Sequence, residues 1–502
     1  MPLTRAALLA GLFAILLPFG WLQRAPATPA ASQRLAGRAG LPPVEIGAGV
    51  AAFYQTHGFR PLWVTSAGLR PEARQLLAML GEDASPALRD AVAAASDGDP
   101  HRLTRADLLL SDAFASHVLA SQAPPAANAM RYIDPGLAPA PSSARAILEA
   151  AAAAPSLSRH LAAVEAINPV HDGLRRGLAA YRARWSRLPQ TALPASPSPA
   201  LLQQRLGLAA GADLPAALRA FQHVHGLTTT GLADAPTVAA LNRGAAYYER
   251  LILANMERAR AIPPHANGRY ILVDTASARL WMIERGRIAG AMRVVVGKRA
   301  MPTPAMAGLI RYASLNPYWN LPPDLIRKRA GHGMRAIVAE HLQVLSDWTP
   351  QARPLDPRQV DWGAVAAGRR LVNLRQTPGA YNMMGRIKFM LPNDLGVYLH
   401  DTPLRDLLTH ADRHESSGCV RLEDAQRLGR WLFAGPVPAG DGSAEQRVDL
   451  PAPVPVYLAY FTALPARDGG VVFQSDVYGR DRPAAAAPPR STPRRNRMTP
   501  AK

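Results

Sequence analysis

Apolar and polar positions along the chain follow two periods. From Gly49 to about Trp185 the apolar residues recur at spacings of three and four. That spacing predicts helices over Leu69–Leu80, Pro86–Ala95, Leu103–Leu119, Ala144–Ala163 and Leu174–Trp185. A Pro/Ser-rich link, Thr191–Pro199, interrupts it. The spacing returns in a compact unit, Leu201–Asn242, with a short helix opening at Leu201, a second over Ala216–His225 ended by Gly226, and a third starting at Pro236. Tyr247–Arg260 reads as a further helix. At Gly268 the period drops to two. Arg269–Asp274, Arg279–Glu284 and Ile288–Val296 predict a strand meander, and Leu309–Asn316, Arg386–Leu391, Val397–His400, Val454–Phe461 and Val471–Gln474 predict more strands. Between Leu321 and Pro378 the pattern is irregular and partly helical (Ile326–Ala339), so it reads as an insertion folded over the sheet. Glu423–Phe433 predicts a closing helix.

A chain of 502 residues is too long for one core, so several domains are expected. Its formal net charge of +20 favours anionic partners: nucleic acid, acidic lipid or a wall polymer. The N-terminus narrows the choice. Arg5 precedes an apolar run, Ala6–Leu22, and Ala25-Pro26-Ala27 offers small residues for cleavage. Residues 1–27 therefore read as a secretory signal peptide or a membrane anchor, and the rest as exported to the periplasm or cell envelope. Export argues against nucleic acid as partner. Residues 28–45 read as a linker. Arg480–Lys502 carries seven Lys/Arg against one Asp and reads as a disordered basic tail.

Cys419 is the one cysteine of the chain, so no intrachain disulfide is open to it. It is either inert filler or a working thiol, and its neighbours favour the second. Ser417-Gly418 before it allow a tight turn whose amides face a developing oxyanion. Arg421 and the start of the helix at Glu423 are expected to lower the thiol pKa. His400, at the end of an apolar strand and 19 residues upstream, is the best candidate base. His410 and His414 lie in a charged loop and read as solvated surface. A metal site from His400, His410, His414 and Cys419 would need tight ligand pairs, and only His410-x-x-x-His414 supplies one. No metal or cofactor is expected.

Two resemblances add to this reading. ALRAFQHVHGLTTTGLADAPTVAALN, through Phe221-Gln222, Gly226-Leu227, Gly231, Thr237 and Leu241-Asn242, resembles the three-helix peptidoglycan-binding module of wall enzymes; an ordinary helical bundle is the alternative. His-Asp-Thr-Pro at 400–403 followed by Ser-Ser-Gly-Cys-Val-Arg at 416–421 resembles the signature of the L,D-transpeptidases with a YkuD-type catalytic domain. The large periplasmic YcbB-like branch is the nearest in pattern, with RYILVD, VVVGK…PTP, NPYWNLPP and GRIKFMLPN in the same order. Many members carry His before the Gly-Cys pair, where this chain has Ser417.

The resemblance implies a multidomain α+β fold. Its parts would be a helical scaffold domain (46–190), a peptidoglycan-binding module (198–243), a connecting helix (244–266) and a mainly-β YkuD-type catalytic domain (267–480). An inserted capping subdomain would span about 321–378, and the tail 481–502. It implies Cys419 as acylated nucleophile, His400 as base, and the amides of Gly418 and Cys419 as oxyanion donors. Arg421 would hold substrate or the Cys loop, Tyr398 would line the pocket, and Asn316, Tyr318 and Trp319 would flank the cleft. The activity implied is 3→3 cross-linking of peptidoglycan stem peptides of meso-diaminopimelate type through a thioester. An L,D-carboxypeptidase that trims tetrapeptide stems and a non-catalytic wall-binding protein are the alternatives.

Overall fold

The computed structural model describes residues 44–123, 130–139, 142–263, 268–349 and 351–481. The predicted signal or anchor at 1–27, nearly all of the linker at 28–45 and the tail beyond Asp481 lie outside them. Among the described residues no helix is long and apolar enough to cross a membrane.

The chain divides into two compact units. The first comprises residues up to Ser121 together with Pro141–Glu165 and is helical: α1 (Ala48–Thr56), α2 (Pro71–Leu80), α3 (Pro86–Ala94), α4 (Pro100–Gln122), α5 (Ala144–Ala153) and α6 (Leu157–Val164). The single helix predicted over Ala144–Ala163 is two, because Pro155 cannot continue a helix and Ser156 caps a new one through its side chain. Phe53, Trp63, Leu76, Leu110, Phe114 and Leu148 form the core. Asp107 is buried among them, where an unpaired carboxylate is costly. It accepts hydrogen bonds from the Leu62 and Trp63 amides and from the Tyr54 hydroxyl. The aromatic cluster Phe59–Trp63 thus serves packing.

The second unit holds Gln122–Ala140 and everything from Ala166 onward. Helical periodicity alone runs the first domain to residue 190, but α7 (Pro169–Tyr181) packs in the second unit, with Gly173 against Pro465 and Gly177 against Val471. A period of 3.6 shows that a helix has a buried face and says nothing of what covers it. Three short helices follow, α8 (Pro199–Arg205), α9 (Leu214–Val224) and α10 (Ala235–Arg243), with side-chain N-caps from Ser198, Asp213 and Asp234. Gln222 is fully buried and ties their loop together: its amide donates to Thr230, Leu232 and Thr237 and accepts from the Gly231 amide. α11 (Ala245–Ala259) leads into the sheet.

The sheet strands are β1 (Arg269–Asp274), β2 (Arg279–Glu284), β3 (Arg287–Gly297), β4 (Met306–Leu315), β5 (Ile387–Met390), β6 (Leu399–His400), β7 (Val420–Leu422) and β8 (Gln446–Ala459). They pair in the order β5-β6-β7-β3-β2-β1-β8-β4, and β4 pairs back to β5, so the sheet closes into a barrel. Ile271, Val273, Leu280, Met282, Val294, Val296, Phe389, Leu399, Val420 and Leu422 fill its interior. The helix Ala425–Leu432 adds Leu428 and Leu432 to that core. The alternate residues face outward. Residues Arg131–Tyr132, read from sequence as part of the helical domain, pair with the start of β4.

Between β4 and β5 the chain leaves the barrel and builds a small lobe: strands at 354–355, 342–345, 373–376 and 319–320, in that order, with helices Pro323–Ala330 and Gly333–Ala339. Its core includes Trp319, Leu321, Ile326, Ile337, Val344 and Leu374. These strands span two to four residues, too few for alternation to stand out in the sequence.

Candidate active site

β6 and β7 run parallel with Leu399 opposite Val420 and His400 opposite Arg421, and the Val420 amide donates to the Tyr398 carbonyl. Since Leu399 and Val420 point into the barrel, alternation puts Tyr398, His400, Cys419 and Arg421 on its outer face. Cys419 is level with Tyr398, one rung from His400 on the adjacent strand.

His400 is 1% exposed. Its Nδ1 meets the Asp401 carbonyl. A carbonyl only accepts, so Nδ1 carries the proton and Nε2 is the basic nitrogen. Nε2 has no hydrogen-bond partner among the described residues. Asp401 is fixed in turn by the Arg386 amide and the Arg405 guanidinium. Gly385 makes room for it, since a Cβ there would lie 2.4 Å from the Asp401 carboxyl carbon. Burial, then the positive charge of Arg421, pulls the His400 pKa down to about 3, against the opposing pull of the Asp401 carbonyl. The imidazole is neutral at neutral pH.

The turn that carries Cys419 is held from within and below. Ser416 Oγ donates to the Cys419 carbonyl at 2.6 Å and accepts from the Gly418 amide at 3.1 Å. Gly418 has φ +116°, a region that favours glycine. Thr303 Oγ1 donates to the Gly418 carbonyl and accepts from the Gly297 amide. The Tyr478 hydroxyl donates to the Gly297 carbonyl, and Tyr478 stacks on Tyr460. Ser416 and Thr303 were not singled out from sequence. The PTP stretch of the family resemblance was the one signal for Thr303.

The thiol donates to the Gly396 carbonyl at 3.5 Å rather than to His400. Asn393 shapes that loop by bonding the Leu391 and Val397 carbonyls. Burial raises the thiol pKa; the Tyr398 amide and hydroxyl, Arg421 and Lys388 oppose it without reversing it. The expected lowering by Arg421 and a helix end is therefore corrected. Strand β7 stands between Cys419 and the helix, which starts only at Ala425 with Asp424 as its cap. Three residues of strand place that dipole about 10 Å away. Glu423 is paired to Arg293 instead. The resting pair is a neutral thiol beside a neutral imidazole.

Other expected residues sort as follows. The Gly418 amide is spent on Ser416, whereas the Cys419 amide is unbonded among the described residues. Ser417 is exposed. The Arg421 side chain makes no ion pair or hydrogen bond among the described residues, and burial lowers its pKa. Tyr398 packs against both the barrel core and the inserted lobe. Asn316 anchors the loop before β8, and Tyr318 stacks under Arg375 at 3.9 Å. Trp319 packs in the core of the lobe. His410 is paired with Glu415 at 2.8 Å. His414 is not solvated: its side chain is 7% exposed, bonded to Asp412 and to the Thr275 carbonyl.

The barrel presents a buried histidine and a turn-borne cysteine at adjacent strand ends. Residues 268–449 match the sequence profile of the L,D-transpeptidase catalytic domain (YkuD), and residues 48–178 that of a scaffold domain. Residues 268–449 are thus similar to the catalytic domain of the YkuD-type L,D-transpeptidases. A Haemophilus influenzae protein, provisionally named an L,D-transpeptidase, is 33% identical over 238 residues, which cover 45% of this chain and 47% of that protein. The chain thus spans about half the length of that curated relative. Among solved structures, an L,D-transpeptidase from Mycobacterium smegmatis overlaps 38% of this chain and 58% of its own at 12% identity and TM-score 0.19. One from Stackebrandtia nassauensis overlaps 58% and 91% at 14% identity and TM-score 0.20. Overlaps that weak add nothing to the assignment.

Proposed function

We propose that the chain is an exported peptidoglycan L,D-transpeptidase that forms 3→3 cross-links through a Cys419 thioester. The observation that carries this reading is the placing of Cys419 and His400 on one outer face of adjacent parallel strands, with His400 Nε2 unbonded. In the first step Cys419 turns from Gly396 toward the imidazole. Nε2 takes the thiol proton as sulfur attacks the carbonyl of the third stem residue, a meso-diaminopimelate. The Cys419 amide faces the oxyanion that forms. Collapse breaks the bond to the terminal D-Ala, whose amine leaves with the proton held by His400. In the second step the side-chain amine of another stem attacks the thioester, gives its proton to His400 and frees the thiol. A base that is neutral at pH 7 suits both steps.

The lobe at 319–376 acts as a cap that keeps water from the thioester. The three helices at 199–243 act as the wall-binding module. The basic surface suits anionic stems, and the N-terminal segment places the enzyme in the envelope. Purified protein incubated with disaccharide-tetrapeptide and analysed by mass tests the reading. Cross-linked dimer with a transient acyl adduct on Cys419 is expected. Tripeptide alone would make it a carboxypeptidase, and no reaction would leave a wall-binding protein.

A further inference from the structure

The reaction centre contains a buried cation that the two steps above do not use. Lys388 lies on β5 directly opposite His400. Ile387 and Phe389 on either side of it point into the barrel, so its side chain shares the outer face with Tyr398 and His400. It is 8% exposed, and a buried ammonium is costly unless it is paired. Nζ lies 3.1 Å from Glu445 Oε1 and 5.4 Å from the centroid of the Tyr398 ring.

The partner is delivered by strained backbone. Glu445 has φ +56° and Asn316 φ +46°, both left-handed without being glycine. The Glu445 amide donates to the Asn316 carbonyl at 2.8 Å. Strain of this kind persists only where the surroundings over-determine it, and it gathers at active sites. With Arg421 on β7 and Lys388 on β5, His400 on β6 has a cation on each side.

We propose that Lys388, fixed by Glu445, is a positioning residue whose ammonium favours the thiolate of Cys419. The proposal rests on the reading of Cys419 as the nucleophile. The groups that face this ammonium are Tyr398 and His400 from β6, Ser314 from β4 and Glu445 from the loop before β8. Arg447 is one strand beyond Ser314, and Arg421, with Glu415 near it, one strand beyond His400. Ser314 is neutral and its buried Oγ has no partner, so Glu445 is the one anion in direct contact with Lys388 among the described residues.

The test is the pH dependence of Cys419 alkylation by iodoacetamide in the full chain. It compares the native protein with Lys388→Met, Lys388→Arg and Glu445→Gln, with melting temperatures taken in parallel. Lys388→Met is expected to move the midpoint up by about one pH unit, Lys388→Arg to leave it in place, and Glu445→Gln to move it down by roughly half a unit. An unmoved midpoint in Lys388→Met, with only the melting temperature lowered, would overturn the proposal and leave a structural ion pair. If Lys388→Met does not fold, an unmoved midpoint in Glu445→Gln overturns it equally. No alkylation of the native protein at any pH would instead overturn the reading of Cys419 as nucleophile, and this proposal with it.

Discussion

His225, where the short helices meet the hairpin 463–473, and His400, on the outer face of the barrel, are buried to a similar degree, 6% and 1%. Burial is the largest cause that holds each imidazole neutral, with a pKa near 3. Their bonding differs. His225 gives Nδ1 to the Phe221 carbonyl and takes the Tyr181 hydroxyl at Nε2, and it stacks between Phe221 and Phe473. Both of its nitrogens are used. His400 is bonded at Nδ1 only, and its neighbours are a thiol and two cations. A perturbed pKa therefore does not mark the working residue. A basic ring nitrogen left without a bond beside a thiol-bearing turn is the better guide.

The comparison breaks most sharply at the nucleophile. Cys419→Ala is expected to abolish cross-linking and the acyl adduct, and His400→Gln to cut the rate by about 10²–10⁴-fold, both read by product mass. Retained cross-linking in Cys419→Ala would end the thioester scheme. His225→Phe should do the reverse. It leaves the Tyr181 hydroxyl unpaired, while the residue 225 amide still donates to the Phe221 carbonyl, and costs about 1–3 kcal/mol in denaturant unfolding, with the rate per folded molecule unchanged. Thr303→Val sharpens the line between the two kinds of residue. It touches no substrate, yet it removes the bonds to Gly418 and Gly297, so a roughly tenfold lower rate is expected, with Thr303→Ser restoring it.

The same two histidines give stability a pH dependence. Each imidazole charges at about pH 6.5 in the unfolded chain and near 3 in the fold. Between those values the unfolded chain binds more protons. The stabilisation is complete above pH 6.5 and drains away as pH falls toward 3. Melting temperature should drop across that window, and drop less in His225→Phe. An equal slope in the variant would mean that His225 does not stay neutral.

Much of this was legible in the sequence. The change of period at Gly268 located the sheet, and the strands β1 to β3 fall within a residue or so of their predicted bounds. A lone thiol in a Ser-Ser-Gly turn and a histidine ending an apolar run pointed to two strand ends that the fold sets side by side. Other features were not local and could not be read. Nothing in α7 marks that it packs against Pro465 and Val471, some 290 residues later. The two-residue strand at 131–132 has no period at all. The thiol pKa went the other way because charge near a cysteine shows in sequence and burial does not. The alternation that makes Ile387 and Phe389 core leaves Lys388 reading as an ordinary outward lysine, until Glu445 is brought to it.

The seam of the barrel sets an order of events during synthesis. β8 pairs in parallel with β1 and antiparallel with β4, joining Ile271 to Val456. The Cys turn rests on Thr303, and Thr303 accepts a bond from the Arg480 side chain and lies against Tyr478. A ribosome that has made Cys419 and His400 has not yet made the strand that seals their barrel or the tyrosine beneath their turn. The growing chain thus carries Cys419 and His400 unassembled until β8 and Tyr478 have emerged, and the site comes together in one step.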